Sequence, residues 1–226
     1  MKKPYLPPQI TALIYDCDGV LIDSARSNEA YYNHILAHFG FPSLRQNQLE
    51  DARVLTAEEM IDLLFKGTPH LAQAQDFQKG LDNDRFIPLA HVEPTLRETL
   101  RRLPAKYRRA VASNRGKSLR PLLEYHRLLD SFDLLVSSID VKRPKPDPEY
   151  LLRVTDTFKI EVSQALYIGD SETDLLTAQK AGVLFVAYKN QALETLWHID
   201  NHLDLFRILD QKLNDELSQK ETGDGP

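Results

Sequence analysis

Apolar positions along the chain follow two rhythms, and the change between them divides the sequence. Ile10 to Tyr15 is a short apolar run rich in β-formers, which predicts a buried strand. From about Arg26 to His38, Ala30, Tyr31, Ile35, Leu36 and Phe39 recur at helical spacing, with Gly40 and Pro42 as the stop. Thr56-Ala-Glu-Glu59 has the form of a capping box and opens a helix that runs to Gly67. A polar, Gln-rich helix follows from Leu71 to Leu81. Residues 25 to 90 therefore read as helices only.

After that the pattern alternates. Pro94 suits the first turn of a helix carrying Leu96, Leu100 and Leu103. Strands are expected at Tyr107 to Ala112, Phe132 to Val136, Ala165 to Ile168 and Val183 to Tyr188. Helices are expected between them, at Ser118 to Leu128, Asp147 to about Phe158 and Glu172 to Ala181. Two more are expected near Leu193 and from Leu205 to Leu217, before a polar tail from Ser218 that should fray. Strand–helix alternation of this kind predicts an α/β fold, a parallel sheet covered on both faces. An all-helical insertion follows its first strand.

Composition narrows the class. The 226 residues carry a net charge of −5 and are 42% hydrophobic, so a core is affordable and no general basic field for nucleic acid exists. Cys17 is the single cysteine, which excludes an internal disulfide framework. Lys2 and Lys3 resemble the start of a signal peptide, but Pro4, Pro7 and Pro8 interrupt it. No apolar run reaches membrane-spanning length. The expectation is a cytoplasmic protein, monomer or homodimer, with no nucleic-acid or membrane partner.

Chemistry gathers where strands end. In open α/β sheets, sites form beyond the carboxyl ends of the strands. Asp16 and Asp18 follow the first strand, and Ser113 and Asn114 the second. The third is followed by a loop with Lys142 and Lys145, and the fourth by Asp170-Ser-Glu-Thr-Asp174. Like charges about 4 Å apart repel by roughly 4 kcal/mol at an effective dielectric of 20, so clustered aspartates need a compensating cation. Mg²⁺, which prefers oxygen ligands, suits them, and Lys145 adds a further charge.

Together Asp16-Cys-Asp-Gly-Val20, Ser113, Lys145-Pro-Asp-Pro148 and Gly169-Asp-Ser-Glu-Thr-Asp174 resemble the four ordered motifs of the haloacid dehalogenase (HAD) superfamily, in its phosphoglycolate-phosphatase-like branch. The resemblance covers about residues 10 to 188. It implies a Rossmann-like doubly wound core, residues 1–22 and 93–226, with a helical cap domain at 23–92. It implies a phosphatase of small phosphorylated metabolites, phosphoglycolate or sugar phosphates among them. Asp16 would be the nucleophile and Asp18 the general acid and base. Asp16, Asp170 and the Asp18 backbone carbonyl would hold Mg²⁺. Ser113, the Asn114 backbone N–H and Lys145 would bind the phosphoryl oxygens, and Asp174 would orient a metal water or Lys145. The Lys-Pro-Asp-Pro context selects Lys145 over Lys142.

Alternatives stay open on the same fold. A sugar phosphomutase resembles this chain but carries a histidine twelve residues after the nucleophile, where Asn28 stands here. A dehalogenase lacks the second aspartate. A phosphonate hydrolase needs a cap lysine, for which Lys66 and Lys79 have no supporting motif. A non-catalytic phosphoryl-binding protein would not need complete motifs. Arg53, in a loop-like stretch, is placed either to reach a substrate anion or to face solvent. Cys17 should be core filler. Gly116-Lys117-Ser118 should cap a helix. His34/His38 and His198/His202, spaced i, i+4, read as surface histidines, and Arg101-Arg102 and Arg108-Arg109 as solvated faces.

Overall fold

The computed structural model describes residues 10–209. The expectations for the N-terminal lysines and prolines and for the polar tail lie outside these residues. Eight strands are described: β1 Ala12–Tyr15, β2 Ile22–Asp23, β3 His91–Val92, β4 Arg108–Ala112, β5 Leu134–Val136, β6 Ala165–Gly169, β7 Leu184–Tyr188 and β8 Trp197–Ile199. The helices are α1 Ala25–His38, α2 Gln46–Val54, α3 Ala57–Phe65, α4 Leu71–Gly80, α5 Leu96–Arg102, α6 Leu119–Tyr125, α7 Glu149–Phe158, α8 Glu172–Ala181 and α9 Leu205–Leu209.

Six strands form one parallel sheet in the order β5-β4-β1-β6-β7-β8. β1 lies inside it, between β4 and β6. The chain builds outward from β1 through β4 and β5, then returns to β6 and builds the other way. The carboxyl ends of β1, β4 and β6 therefore meet at the point where the order reverses, the place where such sheets leave a crevice.

Strand side chains alternate between two layers, as the pleat requires. Leu13 and Tyr15 of β1, Val111 of β4, and Leu166 and Ile168 of β6 pack with Leu96, Leu100, Leu122 and Leu205 from α5, α6 and α9. Ala12, Ile14, Ala110, Ala112 and Tyr167 face the other way, onto Leu151, Val154 and Phe158 of α7 and Ala178 of α8. Burial on both faces explains why these strands read as unbroken apolar runs.

The helices from 25 to 80 have a core of their own. Tyr32, Ile35, Leu36, Ala52, Met60, Ile61, Phe65 and Ala74 pack together, apart from both sheet layers. The expected capping box starts α3: Glu59 N donates to Thr56 Oγ1 (3.2 Å) and Thr56 N to Glu59 Oε2 (2.9 Å). The chain enters and leaves this segment side by side, because β2 and β3 pair antiparallel, Ile22 with Val92 and Asp23 with His91.

Several expectations are corrected. No helix forms near Leu193; the chain turns and adds β8 as an edge strand beside β7. Three residues are too few to show a period-2 pattern. The stretch carrying Arg53 is not a loop but helix α2, whose only buried residue is Ala52, so it shows no apolar stripe. Within 25 to 90 every element is helical, as expected, the last of them a 3₁₀ helix at 84–89; the strand at 91–92 begins just after it. Helix α9 is described to Leu209; the remainder of the expected helix lies outside the described residues. His202 is no surface residue: it is fully buried, with Nε2 2.8 Å from the Val20 carbonyl. His198 lies on β8, so that pair shares no helix. Arg109 is half-buried and donates to the Leu100 carbonyl.

Candidate active site

Strand ends carry the site. Asp16 N donates to the Ile168 carbonyl (2.9 Å), extending the β1–β6 pairing by one residue. The chain then folds back tightly: Leu21 N and Ile22 N both donate to the Cys17 carbonyl, and Gly19 N to the Ile22 carbonyl. Gly19 has φ +84°, and a Cβ there would overlap the Asp170 carboxylate, so glycine is required twice over. Cys17 points away from both aspartates into the core, as expected.

Lys145 is the hub. It is buried, and its ammonium donates to Asp16 Oδ1 (2.6 Å), Asp174 Oδ1 (2.8 Å) and Tyr167 OH (2.6 Å). Tyr167 OH in turn donates to Asp174 Oδ1 (2.6 Å). Asp174 is fixed by the start of α8, where its N–H donates to the Ser171 hydroxyl and that hydroxyl donates to Asp174 Oδ2 (2.6 Å). Lys142 is exposed, and only its backbone is held, by Glu149. The lysine beside Asp16 is thus Lys145.

One ammonium serves two buried carboxylates, and they share it unequally. Burial pushes both carboxyls up. At Asp174 the Lys145 charge and the bonds from Lys145, Ser171 and Tyr167 outweigh burial and hold it below the usual range. At Asp16 burial wins over Lys145, and Asp174, Asp170 and Asp18 add to the rise, so it lies well above that range. Asp170 is pushed up to about 7, by burial first and by Asp174 second. Burial lowers Lys145, but Asp16 and Asp174 outweigh it and raise the ammonium.

Asp16, Asp170 and Asp174 each bring an oxygen within 4.8 Å of the others. Three carboxylates facing the Lys145 ammonium and the half-exposed Arg53 guanidinium still leave negative charge uncompensated. A hard divalent cation fits that deficit in charge and in donor type. Both Asp174 oxygens already accept hydrogen bonds, whereas Asp16 and Asp170 each accept at one oxygen, from Lys145 and Arg53, and keep the other for a ligand.

Sequence reasoning missed Arg115. Its guanidinium grips Asp18 with two prongs, Nη2 to Oδ1 at 2.6 Å and Nε to Oδ2 at 3.1 Å. Nη2 also donates to Asn28 Oδ1 (3.0 Å) and Nη1 to the Ser118 hydroxyl (3.2 Å). Ser118 thus stands at the start of α6 without capping it. Burial pushes the Asp18 carboxyl up, but Arg115 outweighs it and holds Asp18 below the usual range. The available signal was position: Arg115 directly follows Ser113-Asn114, two residues beyond a strand end.

Three contacts tie the helical segment to these groups. Besides Asn28–Arg115, Arg53 Nη2 lies 2.9 Å from Asp170 Oδ2, and Asn114 Nδ2 donates to the Val54 carbonyl (2.9 Å). The Asn114 carbonyl oxygen accepts from Lys145 N and Tyr150 OH, so this side chain braces the Lys145 loop. The Ser113 hydroxyl accepts from Arg115 N (3.1 Å) at the cavity wall. The cavity holds about 720 Å³ and is lined by Asp16, Asp18, Ser113 and Lys145 below and by Tyr31 and Arg53 above. All seven residues singled out in the sequence line it.

Comparison with known proteins agrees with this geometry. Over 194 residues the chain is 30% identical to phosphoglycolate phosphatase of Nitrosospira multiformis, covering 79% of this chain and 82% of that protein. A HAD-superfamily hydrolase of subfamily IA from Geobacter sulfurreducens superposes with a TM-score of 0.73 at 33% identity, over 88% of this chain and 96% of that one. β-Phosphoglucomutase from Clostridium difficile shares the fold alone, with a TM-score of 0.77 at 18% identity, over 93% and 100% of the two chains. The family model of haloacid dehalogenase-like hydrolases matches residues 13–188. That span runs from β1 to β7 and takes in every strand end that builds the site, and the chain belongs to the haloacid dehalogenase-like hydrolase family.

Proposed function

We propose that this phosphatase is Mg²⁺-dependent and releases phosphate from a small phosphorylated metabolite, of the phosphoglycolate or sugar phosphate class, through an aspartyl-phosphate on Asp16. The convergence of Asp16, Lys145 and Asp170 on one cavity supports the reading most directly. Phosphatases of this family generally use a divalent metal ion, and the buried aspartate cluster is where one fits. Asp16, Asp170 and the Asp18 backbone carbonyl would hold Mg²⁺. When bound, the ion supplies positive charge to the phosphoryl oxygens and favours ionised Asp16.

An Asp16 oxygen bonds to phosphorus as the ester P–O bond breaks, and Asp18, which must first take up a proton and leave the Arg115 grip, gives that proton to the departing oxygen. Water then attacks phosphorus and passes a proton to Asp18, and the Asp16–phosphorus bond breaks to release phosphate. Lys145, Ser113 and the Asn114 N–H would position the transferring group, since phosphoryl transfer depends chiefly on placement and charge. Asp174 orients Lys145. Residues 23–92 act as a cap that excludes water and reads the rest of the substrate, hinged at about 20–25 and 88–94, where β2 and β3 pair. A single buried cysteine is compatible with a reducing, cytoplasmic setting.

A mutase reading gains no support at Asn28, whose amide is held by Arg115, Ser24 and Ala52 and does not titrate as a histidine would. The test is a panel of phosphorylated metabolites with Mg²⁺, with chelator, and with Ca²⁺, together with trapping of phosphoryl-enzyme. Mg²⁺ should support release and chelator abolish it, while Ca²⁺ works poorly because of its looser coordination. Asp16→Asn should form no phosphoryl-enzyme, whereas Asp18→Asn forms it slowly from an activated ester. Full activity in chelator, or equal labelling of both variants, overturns the assignment.

A further inference from the structure

We infer that Tyr167 is the positioning residue for Lys145: its hydroxyl holds the ammonium from within the core, so that the remaining donor is aimed at Asp16. The inference rests on the reading that Lys145 holds the transferring phosphoryl group. An ammonium has three N–H donors, and here each has a close acceptor: Asp16 Oδ1 at 2.6 Å, Asp174 Oδ1 at 2.8 Å and Tyr167 OH at 2.6 Å. Asp16 and Asp174 are carboxylates that line the cavity. Tyr167 is neutral, fully buried and outside the cavity wall, so it can act on the chemistry only through its two partners.

The strand explains the placement. Tyr167 and Gly169 face the same side of β6. A Cβ on Gly169 would overlap the Asp174 side chain, so the missing side chain lets Asp174 lie across the strand end. From further back on the same face, the Tyr167 hydroxyl donates to Asp174 Oδ1 (2.6 Å) while it accepts from Lys145. Lys145, Tyr167 and Asp174 thus close a ring of three hydrogen bonds. Burial first, and Asp174 second, push the phenol well above its ordinary value, so it keeps the proton the ring needs. Packing does not ask for this hydroxyl. The Tyr167 ring lies in an apolar layer with Ala112 and Leu151, edge-on to Phe185 at 5.9 Å, where a phenylalanine would pack as well. A buried hydroxyl costs free energy unless it is bonded, and here both its bonds serve the site. With two N–H groups held in the ring, rotation about Cε–Nζ is fixed and the third is aimed at Asp16. A phosphoryl oxygen then meets a donor that sits beside the attacking carboxylate. Without the hydroxyl one N–H is left over and the ammonium can turn.

The test is Tyr167→Phe, which removes one oxygen and keeps the ring. With p-nitrophenyl phosphate and Mg²⁺, kcat should fall about tenfold and KM stay within about twofold, because a misplaced donor slows the step without weakening ground-state binding. Mg²⁺ affinity, read by titration calorimetry, should not change. A distorted strand end would displace Asp170, just beyond Tyr167 on the chain, and weaken it. Adding Tyr167→Phe to Lys145→Ala should cost nothing further in kcat/KM, because Tyr167 acts through Lys145; a merely structural role would repeat the loss of about tenfold. An unchanged kcat in folded Tyr167→Phe, a loss paired with weaker Mg²⁺ binding, or losses that multiply in the double variant overturn the inference. If the double variant does not fold, kcat, KM and Mg²⁺ affinity of Tyr167→Phe alone decide it. Lys145→Ala is the control. If it keeps full kcat/KM, the reading of Lys145 as a phosphoryl ligand falls; if it loses activity and Tyr167→Phe does not, only the role of Tyr167 falls.

Discussion

Arg53 Nη2 lies 2.9 Å from Asp170 Oδ2, so a cation carried by α2 rests on the carboxylate that follows strand β6. The Arg53 side chain is 47% exposed while Asp170 is only 17% exposed, so solvent screens the pair from one side. Exposed pairs of this kind contribute at most about 1 kcal/mol. A divalent ion that takes Asp170 as ligand must displace or share that contact. Arg53→Gln should therefore bind Mg²⁺ more tightly, by up to about fivefold, in titration calorimetry. The same change should alter discrimination among metabolites and leave p-nitrophenyl phosphate nearly untouched, if α2 presents Arg53 to the part of the substrate beyond its phosphoryl group. Weaker Mg²⁺ binding in the variant would show that Arg53 supports the cation instead of competing with it.

Lys145 should behave in the opposite manner. Its ammonium faces Asp16, the proposed nucleophile, and would be shared by every transition state. Lys145→Ala should lower kcat/KM by about 10²- to 10³-fold on every substrate alike. It also strands Asp16 and Asp174, and breaking a buried ion pair typically costs about 3–5 kcal/mol. Urea unfolding in chelator should report that loss, and added Mg²⁺ should recover part of it by compensating Asp16. Lys142→Ala, whose side chain is exposed, should show neither effect. A substrate-selective loss in Lys145→Ala would move this lysine from the phosphoryl site to the specificity wall.

Legibility in the sequence followed burial. Strands β1, β4, β6 and β7 are buried on both faces, so their apolar runs announce them, and the chemistry at their ends follows from the fold. Helix α2 and strand β8 bury little and left little pattern. α2 contributes one buried residue, Ala52, and β8 is a three-residue edge. Asp16, Asp18, Ser113, Asn114, Lys145, Asp170 and Asp174 could be placed at one end of the sheet because their positions after strands are local facts, and all of them line the cavity. Arg115 and Arg53 were not assigned their partners because those contacts span 97 and 117 residues of sequence. Their meaning depends on how the helical segment folds back over the sheet, and no local pattern encodes that. His202 was misread for the same reason: its carbonyl partner, Val20, is 182 residues away.

His202 supplies a pH dependence that can be separated from the site. Its ring is fully buried, stacks on Tyr188 at 4.6 Å, and donates from Nε2 to the Val20 carbonyl just beyond Asp18. Nδ1 has no partner. Burial disfavours the imidazolium and outweighs the Val20 bond, and Lys189 adds repulsion, so the ring is held down to about 4 from an ordinary 6.5. The unfolded chain therefore takes up this proton near pH 6.5, and the folded chain only near pH 4. The stability His202 contributes is fully present above pH 6.5 and is lost as pH falls from there toward 4. Between pH 7 and pH 5 the loss amounts to about 2 kcal/mol. His202→Gln keeps a donor for Val20 and removes the titration. Urea unfolding of both proteins at several pH values isolates this group, because all other titrations are common to the pair. The stability advantage of the natural protein over His202→Gln should shrink by about 2 kcal/mol from pH 7 to pH 5. A difference that stays constant across that range means that His202 takes up its proton alike in the folded and unfolded chain, and that the burial of its unpartnered Nδ1 carries no such penalty.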